Sequence, residues 1–173
     1  MSKKEALREL QSRLADRLQA ARDQSGAASW LAVEAGGRGF LLPLAEAGEI
    51  FTGRVSCLPV PHTAPWMLGV ANLRGHLHSV VDLAAFLGIK TGAPAREANC
   101  LVAFSPQLET NCALLVDRLA GLRGREQLQP RASDDAPRPA FVAGSWTDQQ
   151  GRVWHELALG ALSRHEAFLG VAA

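Results

Sequence analysis

The sequence predicts a mainly β protein of the barrel type, with helices confined to its two ends. Three observations carry this. From residue 30 onward apolar residues come in short runs or in alternation, broken every few residues by Gly, Pro, Asn or Asp, which gives about nine or ten short strands. No regular alternation of strand and helix appears, as a parallel α/β sheet would need. Stripes at helical spacing occur in the first twenty-odd residues and the last ten or so, and only briefly between.

Composition sets the bounds. The 173 residues are 47% hydrophobic and 20% charged with a net charge of +1, so the chain is globular and long enough to bury roughly 70% of its unfolded surface as one domain. Near neutrality argues against nucleic acid as a partner, since phosphate recognition needs clustered positive charge. Cys57, Cys100 and Cys112 are odd in number and lack C-x-x-C spacing, which suits a reducing compartment and neither a disulfide framework nor a zinc knuckle. No leader-like or membrane-spanning apolar run is present, so a cytoplasmic protein without membrane insertion is expected.

Taken in order, residues 2 to 23 place Leu7, Leu10, Leu14, Leu18 and Ala21 on one stripe, and Ser2 with Glu5 forms a capping-box pattern. The stripe suits a helix that covers an edge of the body, or one that binds a partner. Residues 24 to 29 read as a linker. Trp30 to Glu34 and Phe40 to Leu44 read as strands joined through Gly36-Gly37-Arg38-Gly39, and Glu46 to Arg54 as a further strand. Pro59 and Pro61 force Cys57 to His62 into extended backbone at an edge or loop.

Residues 69 to 88 are the densest stretch. Asn72 to Gly75 reads as a turn, Leu77 to Val81 as a buried strand, Asp82 as a helix N-cap, and Leu83, Phe86 and Leu87 as the short apolar stripe that Gly88 ends. Arg74 is the odd residue, a cation beside a buried strand that either braces the turn against a carboxylate or points outward at a partner. Further strands are expected at Asn99 to Phe104, Asn111 to Val116 and onward through Gly124, with Leu119 and Leu122 inward. Residues 129 to 139 hold three prolines and read as a surface loop. A last hairpin, Phe141 to Trp146 with Arg152 to Leu159, precedes a helix over about 160 to 169.

No catalytic signature is present. His76 and His78 share a strand face and invite a metal reading with His62, yet no Cys or carboxylate stands at ligand spacing. Asp82, Asp117 and Glu156 sit where capping or ion pairing accounts for them as well as acid–base work does. Ser79 and Ser145 lack a nucleophile elbow, and no phosphate-binding glycine motif occurs. No catalytic residue, metal or cofactor is assigned.

Taken together, Leu58-Pro59-Val60-Pro61-His62, Trp66, Gly69-Val70-Ala71-Asn72-Leu73-Arg74-Gly75, and Ser79-Val80-Val81-Asp82-Leu83 with Phe86-Leu87-Gly88 resemble the signature of the CheW family of chemotaxis adaptors. The leading helix and the closing Phe168-Leu169-Gly170-Val171-Ala172 resemble adaptors of the PilI type, from pilus-linked systems that govern twitching motility. The resemblance spans about residues 29 to 169 and implies two five-stranded SH3-like barrels, one over about 40 to 92 and the other over about 29 to 36 with 97 to 160, after a separate helix over 1 to 24. It implies a non-enzymatic signalling adaptor, recruited to receptor arrays, that bridges the cytoplasmic tip of a methyl-accepting chemoreceptor and the regulatory domain of a CheA-type histidine kinase. It places Ala47, Ile50, Gly69, Asn72, Leu73, Arg74 and Gly75 at the receptor contact, and gives Pro59, His62, Trp66, Asp82 and Leu83 structural roles. Without the resemblance, a small β-barrel ligand-binding module or enzyme is the alternative.

Overall fold

The computed structural model describes residues 2–23, 28–89, 97–132 and 136–172. Helix α1 (Lys3–Asp23) leads into strands β1 (Ala28–Ala35), β2 (Arg38–Pro43), β3 (Ala47–Ser56), β4 (Met67–Leu73) and β5 (His76–Asp82), then the single turn α2 (Leu83–Phe86). There follow β6 (Glu97–Phe104), β7 (Cys112–Leu115), β8 (Arg118–Gly124), β9 (Leu128–Pro130), β10 (Val142–Asp148) and β11 (Val153–Leu157), and finally α3 (Leu159–Arg164) and α4 (Glu166–Leu169). The mainly β class with terminal helices is therefore as the sequence predicts.

The strands form a six-stranded sheet, β8-β1-β2-β11-β10-β9, and a five-stranded sheet, β3-β6-β7-β5-β4. This divides the strands differently from the expected boundaries. Residues 40–43 belong with β1, because a two-residue turn at Gly36 and Gly37, both at positive φ, folds β2 straight back along it. Strands β6 and β7 belong to the other sheet, where β6 returns beside β3 and β7 lies parallel to β5. The sixth strand of the larger sheet is the three-residue β9, which overlaps the start of the stretch expected to be loop.

Strands β1 and β6 show why near-continuous apolar runs occur. In β1, Leu31, Val33 and Ala35 face a large core shared by the two sheets, while Trp30 and Ala32 face a small core inside the curl of their own sheet. In β6, Cys100, Val102 and Phe104 face the shared core, and Leu101 and Ala103 face the interior of the five-stranded sheet. A strand covered on both faces loses the polar half of its alternation.

The ends of the chain close the shared core. Trp66 stacks on Phe168 of α4 (centroids 6.0 Å) and meets Phe86 edge-on at 5.0 Å. Asp82 caps α2 as expected, its Oδ1 accepting the Ala85 N–H at 3.2 Å, and Leu83 is fully buried. The expected single last helix is two: His165 is extended, and its Nδ1 accepts the Ala167 N–H to start α4 afresh. In α1 the expected stripe is only half used. Leu14 and Leu18 pack against the core, whereas Leu7 and Leu10 are 56% and 64% exposed, and the side chain of Ala21 lies outside the described residues.

Candidate partner-binding site at the β4–β5 hairpin

Strands β4 and β5 are joined by two residues only, Arg74 and Gly75, with Leu73 opposite His76. Both loop residues have positive φ, 50° and 86°, as the type I′ turn that matches strand twist requires. Glycine takes this conformation freely, whereas arginine pays about 1 kcal/mol or more for it. Asn72 helps to hold the turn, its Oδ1 accepting the Gly75 N–H at 2.8 Å.

The Arg74 side chain reaches back across the barrel seam. Its Nη1 lies 2.5 Å from Glu49 Oε1 on β3, and its guanidinium carbon is 5.9 Å from the Phe51 ring centroid. Since β3 and β4 are the two ends of the five-stranded sheet, this pair ties those ends together. The Arg74 side chain is nevertheless 74% exposed and that of Glu49 33% exposed, so the contact is largely wet.

The predicted contact residues divide into two groups. Asn72, Arg74 and Gly75 are exposed at the hairpin tip. Ala47 (2% exposed), Ile50 (8%) and Leu73 (3%) are core residues whose side chains offer almost no surface. A register shift between Ala47 and Ile50 in the β3–β6 pairing accompanies the burial of both. Gly69 is buried too, at φ 139°, where a Cβ would lie 2.1 Å from the Leu58 carbonyl oxygen. Its bare backbone lets Leu58 and Val70 exchange N–H···O bonds of 2.8 and 2.9 Å.

That bridge carries the Pro59 segment along the outside of β4. Leu58 (70% exposed) and Val60 (38%) stand on this segment, and Leu77 (63%) stands opposite Asn72 on β5. His62 turns the segment with φ 59°, and Ala64 donates its N–H to the Val171 carbonyl at 2.7 Å, which pins the C-terminal tail beside it. Glu49 and Leu77 were not legible as site residues. Glu49 stands in a strand that also holds Thr52, Arg54 and Ser56 and so does not stand out, and Leu77, expected to open a buried strand, is 63% exposed because only the second half of β5 is buried.

The other candidates resolve into structure. Asp117 accepts the Gly36 N–H at 2.8 Å, and Glu156 accepts the indole N–H groups of Trp30 and Trp146 at 2.8 and 3.1 Å. Among the described residues no group of three or more His, Cys, Asp or Glu is arranged to hold a metal ion. His78 Nδ1 lies 3.1 Å from the His76 carbonyl oxygen, within the strand. Burial pushes the thiols of Cys100 and Cys112 up to about 12, which leaves them protonated at neutral pH.

Comparison with known proteins fits this architecture. The CheW-like domain model matches residues 29–167. Protein PilI of Pseudomonas aeruginosa is 32% identical over 158 residues, covering 86% of this chain and 84% of that protein. A probable chemotaxis protein CheW of Rhizobium etli is 36% identical over 73 residues, 42% of this chain and 46% of that one. The scaffolding protein TtCheW of Thermoanaerobacter tengcongensis superposes with a TM-score of 0.61 at 18% identity, covering 76% of this chain and 89% of that structure, a likeness of fold. The chain belongs to the CheW-like family, whose members are non-enzymatic scaffold adaptors.

Proposed function

We infer that this protein couples a methyl-accepting chemoreceptor to a CheA-type histidine kinase, in control of type IV pilus twitching or of chemotaxis. The observation that carries the reading is the hairpin tip: an exposed arginine held at a sterically costly backbone position by a wet ion pair, within the family's central motif. A purely structural ion pair of this exposure contributes little stability, on the order of 0–1 kcal/mol. Keeping it against the backbone cost makes sense if the guanidinium is used, exchanging Glu49 for a carboxylate on a receptor helix at small net cost.

In this reading Asn72, Arg74 and Gly75 touch the receptor, with Leu77 beside them as apolar contact area. Ala47, Ile50, Gly69 and Leu73 act from behind by fixing the seam and the hairpin. The kinase regulatory domain engages barrel ends away from this tip. No helix among the described residues is long and apolar enough to cross a membrane, so placement at a receptor array would come through the receptor. The test is a reconstituted assay with receptor fragments, kinase and this protein. Wild type should raise receptor-dependent kinase output, and Arg74→Ala should lower it at least severalfold while the protein still binds the isolated kinase domain. Equal output from the two would remove Arg74 from the contact.

A further inference from the structure

In the six-stranded sheet, one face of β10 and β11 carries a concentration of positive charge that adaptor function as described leaves unused. Ser145 on β10 stands opposite His155 on β11, with Oγ 3.1 Å from Nδ1. Together with Arg131 and Arg138 they line an open cavity of about 230 Å³, completed by Ala132, Ala136 and Val142. Arg131 is fixed there by its backbone, whose N–H donates to the Ser145 carbonyl at 2.9 Å. Arg38 opens β2, whose Phe40 is the register neighbour of His155, and it adds a third cation to the field around the imidazole.

What sets this place apart is the convergence of three cations on one cavity. Arg74 has Glu49, Arg13 has Glu9, and Arg118 and Arg152 share the buried Glu34. Among the described residues Arg38, Arg131 and Arg138 make no ion pair, as is true of other arginines, Arg125 and Arg164 among them, and no carboxylate lines the cavity. A serine–histidine pair without an orienting acid is poorly equipped for nucleophilic work. As hydrogen-bond donors beside two guanidinium forks, the same groups suit an oxyanion.

We propose that this cavity binds a phosphoryl group, with Arg131 and Arg138 as its forks, Ser145 and His155 completing the donor set, and Arg38 supplying charge from the rim. Two properties favour phosphoryl over a single carboxylate or a whole nucleotide. A phosphomonoester carries about −1.5 to −2 at neutral pH, which balances three guanidinium groups better than one negative charge does. The cavity is also smaller than the roughly 300–1,000 Å³ typical of sites for drug-sized ligands, so it fits a head group. The imidazole reports occupancy. Burial, then Arg38, Arg138 and Arg131, hold its pKa below the ordinary histidine value, and a bound dianion would push it back up.

The experiment titrates the full chain with inorganic phosphate, phosphoserine or acetate at matched ionic strength, following His155 and Ser145 by NMR. Saturable shifts with phosphate and phosphoserine, a raised His155 pKa, and at least tenfold weaker binding in R131Q/R138Q at unchanged melting temperature are expected. Tighter binding of phosphoserine would identify a phosphorylated side chain as the source, and equal binding free phosphate. Acetate binding as well as phosphate, no saturation, or no effect of R131Q/R138Q would each overturn the proposal. The sequence puts Asp134 and Asp135 between Ala132 and Ala136. Phosphate binding seen only in D134N/D135N would mean that the chain's own carboxylates are the occupants, which also overturns it.

Discussion

Arg74 and Glu49 are 25 residues apart in sequence, yet their side chains meet at 2.5 Å and join the two ends of the five-stranded sheet. The pair answers what the sequence left open, since the arginine does have an internal carboxylate. It is also exposed enough to exchange that partner. Arg74→Ala and Glu49→Gln should each change unfolding free energy by about 1 kcal/mol or less in urea titration. Arg74→Gly should be closer to neutral, because glycine removes the left-handed backbone cost. A loss of about 3 kcal/mol or more in Arg74→Ala would make the pair a structural clamp.

Gly69 makes a contrasting case. A methyl group there meets the Leu58 carbonyl at 2.1 Å and sits on a backbone at φ 139°, so neither the side chain nor the backbone can yield cheaply. Gly69→Ala should cost about 3 kcal/mol by denaturant unfolding and free the Leu58–Val70 bridge, seen as faster amide exchange at both residues. Melting within a degree of wild type would contradict the account of this close approach.

Glu34 is 6% exposed and pairs with both Arg118 and Arg152, whose side chains are 67% and 39% exposed. Breaking a fully buried pair costs more, but here both cations keep access to water. Glu34→Gln should therefore lower stability by about 2 kcal/mol.

Thiol reactivity should be ranked by burial. Cys100 and Cys112 are each 1% exposed, with thiols pushed up to about 12 by desolvation, while Cys57 is half-buried and its thiol is raised less. Under native conditions a maleimide should label Cys57 first, and the other two only on the timescale of unfolding. Equal rates at all three would show that the shared core opens readily.

Stability should fall as the pH is lowered through the histidine range. His155 has a folded pKa below 6.5 because burial and the arginines Arg38, Arg138 and Arg131 disfavour its charged form. The unfolded chain therefore takes up a proton that the folded one resists, so the contribution is full above about pH 6.5 and is lost as pH drops through the folded value. The urea midpoint at pH 5.5 should be lower than at pH 7.5, with a smaller difference in His155→Gln.

How far the sequence was legible depended on whether the signal was local. The β4–β5 turn, the Asp82 cap and the Gly36-Gly37 reversal are set by residues adjacent in the chain, and all were readable. Strands β1 and β6 were readable as strands, but not the sheet each joins, because sheet partnership is a long-range choice that periodicity does not encode. Ala47 and Ile50 illustrate the same limit at the site. Their type marked them as apolar positions near the motif, yet their burial and the register shift between them belong to the long-range pairing of β3 with β6. Glu49 was hidden because only the closed barrel brings it to Arg74.

The most direct test of the central claim is co-sedimentation of a CheA-type kinase with receptor cytoplasmic fragments assembled on vesicles, with and without this protein. The account predicts that the kinase sediments with receptor only when the protein is present, and that Arg74→Ala releases protein and kinase together from the receptor. Kinase recovery independent of the protein, or a protein that binds neither component, would contradict it.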